Sequence, residues 1–248
     1  EQHFDKERAY QLFLEHTENL VQPSVKRKTL TISPWMYAAA MVVIVFFCGT
    51  IAFQSGKRVL RNQLTQITVE APYGSKTKLY LPDGTLVWLN AGSKMSYAQD
   101  FGINERSLNL SGEAYFEVSK DPKHPFIVQT ETIDVQVLGT HFNVDAYQNN
   151  PDVKTTLLTG SVAVSNKSKS VRVILKPNEI AIYNKVEEKL TRKVLENVED
   201  EISWRQGEFI FDDLPLQEIA RELSNSFGAT IHIADTALQN YRITARFR

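Results

Sequence analysis

Between residues 67 and 190 the sequence repeatedly alternates apolar with polar residues, which restricts this part of the chain to β structure. Segments such as ITVEA, TLVWL and IDVQVL are separated by turn sequences such as Pro82-Asp83-Gly84 and Pro177-Asn178. A period of two is typical of strands with one buried face. The pattern therefore predicts an all-β domain of about ten short strands, with a sandwich, a barrel or a solenoid as the alternatives.

An uncharged apolar run, residues 34–53, lies before the alternating region. As a helix it would be roughly 30 Å long, which matches the hydrocarbon core of a bilayer. Trp35 and Tyr37 would then lie at one membrane interface. Basic residues flank the run on both sides, so the charge rule does not orient it. We predict a single transmembrane helix over residues 34–53.

The residues before this run have two different patterns. Residues 1–22 carry apolar side chains at helical spacing, Leu12 and Phe13 among them, and are predicted to be the last helix of a domain. Residues 23–33 are predicted to be a juxtamembrane linker, and its basic cluster suits anionic lipid headgroups. The chain opens at Glu1 rather than Met, so we expect the first domain to be truncated.

The last part of the chain, residues 202–248, changes pattern again. It predicts a β-α-β unit with a third strand: GEFIF, a helix, then TIHI and RITARF. We expect Asp213 to cap the start of the helix and Gly228 to end it. So small a unit buries little core alone, so we expect this module to be truncated too.

Composition argues against several classes of function. The net charge of −1 is not that of a general nucleic-acid binder, so we predict no direct nucleic-acid partner. The lone Cys48 allows no internal disulfide, and no spacing of the five histidines suits a metal site. No nucleophile or phosphate-loop motif occurs. We predict no catalytic residue, no cofactor and no metal.

Two carboxylates on one predicted strand raise the question of catalysis. Glu113 and Glu117 flank Tyr115 on the same face of LSGEAYFEVSKDPKHPF, so they could be a glycosidase pair or a solvated outer face. Their backbones would be roughly 13 Å apart on an ideal strand, beyond the ~5–9.5 Å of glycosidase carboxylates. We therefore favour the solvated outer face, with Ala114 and Phe116 pointing into the core.

Three motifs, in order, resemble the periplasmic domain of FecR-type anti-sigma regulators, in particular those of Bacteroidetes. They are LPDGTLVWLNAGSKMSY (81–97), LSGEAYFEVSKDPKHPFIV (110–128) and VLGTHFNVDAY (137–147). The segment ISWRQGEFIFDDLPLQEIARELSNSFG (202–228) is similar to the family's C-terminal module, which is itself similar to the STN domain.

The resemblance implies a mainly β, non-enzymatic protein that crosses the bacterial inner membrane once. Residues 1–22 would belong to a cytoplasmic anti-sigma domain, and residues 67–190 and 202–248 would be periplasmic. An outer-membrane TonB-dependent receptor would pass its signal to the periplasmic part. Regulated proteases would then release an ECF sigma factor, which transcribes uptake genes.

The resemblance also suggests contact residues. An STN-like unit has open strand edges with which a partner can pair, so we expect Phe209, Phe211, Ile231 and Ile233 to face the receptor. The alternative is that these side chains line the module's own core. Leu12 and Phe13 would face the sigma factor. The alternative function is a membrane-anchored periplasmic protein with a β-sandwich that binds or cleaves glycans.

Overall fold

The structure is a computed structural model that describes residues 6–18, 35, 41, 43–51, 66–103 and 105–248. The chain divides into two compact units, Glu1–Leu60 and Arg61–Arg248. In the first unit, helix α1 spans Lys6–Glu18, in agreement with the helical spacing of its apolar residues. The predicted linker, residues 23–33, lies outside the described residues.

The predicted transmembrane helix over residues 34–53 requires correction. A helix needs about 20 apolar residues to cross a bilayer. In the described part of the chain, no helix has both the length and the apolar character for this. Within the predicted segment, residues 34, 36–40, 42, 52 and 53 lie outside the description.

The second unit begins with thirteen strands that form one β domain. They are β1 (Gln66–Glu70), β2 (Thr77–Tyr80), β3 (Leu86–Leu89), β4 (Lys94–Ala98), β5 (Arg106–Glu117), β6 (Phe126–Gln129), β7 (Ile133–Val137), β8 (His141–Ala146), β9 (Asp152–Thr159), β10 (Val162–Asn166), β11 (Arg172–Leu175), β12 (Glu179–Asn184) and β13 (Lys189–Val194). The predicted mainly β fold is therefore confirmed.

Strand β5 belongs to two sheets, and this makes the domain a sandwich. Its first half lies between β4 and β6 in what we call the first sheet, which has the order β11-β10-β7-β6-β5-β4-β1. Its second half lies between β3 and β8 in the second sheet, which has the order β2-β3-β5-β8-β9-β12-β13. All pairs are antiparallel except β5 with β6. The segments SLNLSG and AYFE therefore lie in one continuous strand.

The core lies between the two sheets. Phe116 of the second sheet stacks on Phe142, with ring centroids 5.0 Å apart, and meets Phe126 of the first sheet edge-on at 5.9 Å. All three rings are fully buried. Strand alternation supplies these side chains, because every second residue of β5, β6 and β8 points inward.

A buried arginine holds the loop between β5 and β6 in place by hydrogen bonds. Arg106 is 3% exposed and pairs with Asp83 at 3.2 Å. Its guanidinium also donates to the carbonyl oxygens of Ser119, Asp121 and His124. The loop sequence KDPKHP therefore has a structural role, because one planar guanidinium satisfies several of its carbonyl groups.

The remaining residues form a small unit that we call the C-terminal module, residues 200–248. It contains a 3-10 helix (the linker helix, Asp200–Gln206), strand β14 (Phe209–Pro215), helix α2 (Leu216–Phe227), a 3-10 turn (Thr236–Leu238) and strand β15 (Arg242–Phe247). Strands β14 and β15 pair antiparallel. The predicted strand TIHI is wrong, since residues 229–234 form no strand. Two isoleucines at alternate positions fit a strand, but β14 pairs with β15 rather than with them.

The predicted N-terminal cap of α2 is wrong, whereas its predicted C-terminal end is confirmed. Asp213 does not cap the helix; it lies in a β-bulge of β14 and pairs with Arg242 at 2.8 Å. The first helical N–H group, that of Leu216, instead donates to the carbonyl oxygen of Tyr241 at 2.8 Å. Gly228 ends the helix as predicted, with φ of +66° and its N–H donating to the Ser224 carbonyl.

Candidate functional site

Glu113 is the centre of a hydrogen-bond network on the outer face of the second sheet. Its Oε2 accepts from Asn90 Nδ2 at 2.7 Å, and its Oε1 accepts from Asn143 Nδ2 at 2.8 Å. Each of these three residues comes from a different one of the motifs LNAGS, SGEAYF and HFNVDAY. The fold thus brings three sequence-distant motifs together at one carboxyl group.

The backbone next to Glu113 is held equally closely. Its N–H donates to Ser93 Oγ at 2.8 Å, and Tyr147 Oη donates to the Ala91 carbonyl at 2.6 Å. Gly112 has φ of +101°, and a Cβ there would lie 2.4 Å from Ser93 Oγ. Only glycine fits at this crossing of β5 with the β3–β4 turn.

The face that carries Glu113 is not solvated, which corrects the favoured interpretation from the sequence. Tyr115 is 3% exposed because Ile202 and Trp204 of the linker helix cover it. Arg205 lies over its ring at 3.8 Å and pairs loosely with Glu117 at 3.9 Å. Desolvation raises the pKa of Tyr115 to about 12. Alternation identified the face of the strand, but the element covering it is more than 80 residues away in sequence.

Beside Glu113 a cleft of about 460 Å³ opens between the sandwich and the C-terminal module. We call it the acidic cleft. Its charged and titratable groups from the sandwich are Glu113, Asp145, Tyr147, Asp152 and Lys154. Those from residues 196–248 are Glu196, Asp200, Glu201, Asp212, Glu218, Arg221 and Glu222. Among the described residues lining it, acidic side chains far outnumber the two cations.

Burial changes the acid–base behaviour of the cleft. Desolvation, reinforced by the neighbouring Asp145, raises the pKa of Glu113 well above its ordinary value, against the opposing hydrogen bonds from the two asparagines. Desolvation also raises the pKa of Asp145, although Lys154 and the Asn150 amide oppose this rise. These carboxyl groups therefore keep protons to a higher pH than exposed ones do.

Within the described residues, no group of three or more histidine, cysteine or acidic side chains is arranged to hold a metal ion. Both oxygens of Glu113 already accept hydrogen bonds, and Glu117 faces Arg205. The expected absence of a metal, a cofactor and catalytic residues stays a prediction.

The residues predicted to face a receptor lie in different environments. Phe211 is 2% exposed and Phe209 is half-buried, in a ring cluster with Phe227 and Phe247 whose centroids are 5.4–6.2 Å apart. Phe227 and Phe247 are 58% and 43% exposed. The module therefore has an aromatic cluster with one open side.

Ile231 and Ile233 lie on the irregular segment after α2 rather than on a strand edge. Ile231 is 43% exposed, and Ile233 is half-buried. In the first unit, Leu12 and Phe13 of α1 are 61% and 64% exposed. The two predicted contact sets belong to separate units of the chain.

The residues around the acidic cleft could not be identified from the sequence alone. Asn90, Asn143 and Tyr147 each lie in a motif that the sequence singled out, but nothing in the motifs shows that they meet at Glu113. The one sequence signal for an acidic site is the segment ENVEDE, residues 196–201, which places four carboxylates in six positions. Such a charged segment usually lies in solvent, so only the structure shows that it lies beside the half-buried Glu113.

Two families of known domains match the chain. The family described as FecR protein matches residues 67–163, and the family described as FecR, C-terminal matches residues 208–248. A comparison with curated protein sequences gave no significant match. The first match covers the motifs that meet at Glu113, and the second covers β14, α2 and β15.

Two similar crystal structures come from Parabacteroides distasonis, and both are of proteins assigned as anti-sigma factors. One is 31% identical with a TM-score of 0.68, and the other is 30% identical with a TM-score of 0.64. In each case the alignment covers 73% of this chain and 84% of the other. The FecR family is regulatory and non-enzymatic, and its members are generally membrane-associated. By these matches in sequence and in fold, the chain belongs to the FecR family of anti-sigma factors.

Proposed function

We propose that this chain controls an ECF sigma factor in response to a TonB-dependent receptor in the outer membrane. Sigma-factor regulation is the role of its family. Binding to the receptor is supported by the exposed side of the aromatic cluster in the C-terminal module, where Phe227 is 58% and Phe247 43% exposed. Exposed aromatic rings beside unpaired strand edges are typical of surfaces that bind another protein.

In this proposal, Phe209 and Ile231 contact the signalling domain of the receptor, while Phe211 and Ile233 support them from within the module. A Phe211 side chain that is 2% exposed contributes through packing rather than through contact. The β domain and the C-terminal module act in the periplasm, and α1 acts in the cytoplasm. Regulated proteolysis releases the sigma factor, and the protein itself catalyses no reaction.

On the sigma-factor side, Leu12 and Phe13 supply the contact. Both are more than half exposed on α1, which is the arrangement of an amphipathic helix that binds in an apolar groove of a partner. We expect the double substitution Leu12→Ala with Phe13→Ala to weaken sigma-factor binding by about tenfold or more. Co-purification and titration of the full chain with ECF sigma factors would measure this.

Gln11→Ala on the same helix is the matched control and should bind as the native chain does. Equal affinity of the double variant and the control would refute the assignment of these two residues. Failure of the native chain to bind any ECF sigma factor would refute the proposed function itself.

The topology has a separate test. A reporter that is active only in the periplasm, fused after residue 190, should be active.

The receptor contact is tested by substitution. Ile231→Asp should weaken binding to the receptor's signalling domain, because a charge would be desolvated in the contact. Tyr80→Asp, which changes a 69% exposed residue of the sandwich, is the control. A silent reporter, or unchanged binding by Ile231→Asp, would contradict this part of the proposal.

A further inference from the structure

The C-terminal module is attached to the sandwich by neutral contacts near the end of α2. The N–H of Gly74 donates to the Ser226 carbonyl at 2.7 Å, and Asn225 Nδ2 donates to Asn150 Oδ1 at 3.0 Å. These hydrogen bonds do not titrate in the physiological range. They join α2 directly to the β domain, so they report whether the module is docked.

The same helix also carries charges that oppose this contact. Glu222 and Glu218 of α2 line the acidic cleft with Asp145 of β8 and Glu201 of the linker helix, while Lys154 of β9 is the cation that acts on all of them. Glu113 of β5 lines the same cleft and interacts with Glu222. When all the carboxyl groups are ionised, like charges face each other across the interface.

The remaining titratable groups lining the cleft do not remove this imbalance. Asp152 and Tyr147 belong to the sandwich side, and Asp200, Asp212 and Glu196 to the other. Arg221 of α2 supplies one further positive charge. Lys185 lies further out, where its ammonium acts on Asp145 and donates to the Tyr147 carbonyl.

The four central carboxyl groups hold protons to unusually high pH. Desolvation is the main cause for Glu113, Asp145, Glu201 and Glu222, and it raises the pKa of Glu222 to about 7. Neighbouring carboxylates raise the pKa of Glu113, Glu201 and Glu222 further. Glu222 itself is exposed to solvent on one side of the cleft. Lys154 stays charged, because the carboxylates around it outweigh its own desolvation and raise its pKa.

We propose that the acidic cleft is a pH-sensitive contact: protonation of its carboxyl groups holds the C-terminal module against the sandwich, and their ionisation weakens this docking. The inference goes beyond sigma-factor control, since it gives the module a second, proton-dependent input. It requires neither the receptor nor the sigma factor, so it can fail or hold independently of the proposed function.

The direction follows from proton linkage. In an undocked module these carboxyl groups would be solvated and would have ordinary pKa values, whereas in the docked module their pKa values are raised. The docked form therefore binds more protons, and docking weakens as the pH rises. Docking is strongest below the ordinary glutamate pKa of 4.5 and is lost as the pH passes through about 7, the value for Glu222.

Hydrogen exchange of the full chain at the Gly74 amide tests this inference, because its hydrogen bond crosses the interface. After correction for intrinsic exchange, we expect its protection to be at least about tenfold lower at about pH 8 than at about pH 5, since each unit of pKa corresponds to a factor of ten. The Val118 amide, which donates to Thr140 within the sandwich, is the internal reference and should not change.

The double variant Glu201→Gln with Glu222→Gln should retain at about pH 8 most of the protection seen at about pH 5. Glu187→Gln, an exposed residue of the β12–β13 turn, is the matched control and should behave as the native chain. Should the double variant fail to fold, Glu222→Gln alone should reduce the pH effect. Equal protection of native Gly74 at the two pH values, or a full native pH effect in the Glu222→Gln chain, would overturn the inference.

Discussion

Glu113 and Glu117 show how two identical residues on one strand face acquire different roles. The carboxyl group of Glu113 accepts from two buried asparagines, whereas Glu117 is one-third exposed and lies 3.9 Å from Arg205. They are four positions apart, an even spacing that places both on the same side of β5, so the strand pattern treats them alike. Their different surroundings are set by β3, β8 and the linker helix.

We expect Glu113→Ala to lower the free energy of unfolding by about 2–4 kcal/mol, because it leaves the amide donors of Asn90 and Asn143 without their acceptor. Urea denaturation of the full chain measures this. Glu117→Ala is the control and should cost less than about 1 kcal/mol, as expected for a partly exposed ion pair. Equal costs for the two substitutions would show that the network around Glu113 contributes nothing specific.

Strand β5 is the element that connects the two sheets. It pairs with β4 and β6 up to Ser111 and with β3 and β8 from Gly112 onwards. The change occurs where Gly112 adopts a positive φ and touches Ser93. A side chain at this position would meet both backbone strain and a steric clash.

Gly112→Ala should therefore destabilise the domain by about 3 kcal/mol or more, from left-handed strain together with overpacking. Gly74→Ala is a matched control, since Gly74 also has a positive φ, +72°, but no atom lies within 4 Å of a Cβ there. It should cost about 1 kcal/mol. Thermal unfolding of both variants gives the comparison, and a Gly112→Ala chain as stable as Gly74→Ala would contradict it.

At the scale of the whole molecule, the linker helix is the part of the C-terminal module that packs on the outer face of the sandwich. Trp204 is 8% exposed and packs with Ile202 on Tyr115, so it covers a sheet face that would otherwise be wet. The packing is apolar, and its contribution adds to the hydrogen bonds at Gly74 and Asn150.

Trp204→Ala should lower stability by about 3–5 kcal/mol, the usual cost of removing a large buried aromatic ring. Limited proteolysis should then cut residues 196–208 faster than in the native chain. Val194→Ala, at a 75% exposed position just before this segment, should change neither stability nor cleavage. A Trp204→Ala chain as resistant as the native one would mean that the linker helix is held by other contacts.

Local patterns foresaw the elements with the clearest periodicity. The alternation in residues 67–190 predicted a β domain, and Gly228 predicted the end of α2, because side-chain spacing and left-handed glycine are properties of the local chain. The strand predicted at TIHI and the cap predicted at Asp213 were wrong, because strand pairing and capping depend on which distant groups are available.

The sequence by itself determined the β character of this protein and, through three motifs, its family. The tertiary structure decided that β5 spans both sheets, that Glu113 is half-buried in a hydrogen-bond network, and that an acidic cleft lies between the sandwich and α2. The physical reason is that hydrogen-bond partners, burial and raised pKa values arise from residues far apart in the chain, which only the completed fold brings together.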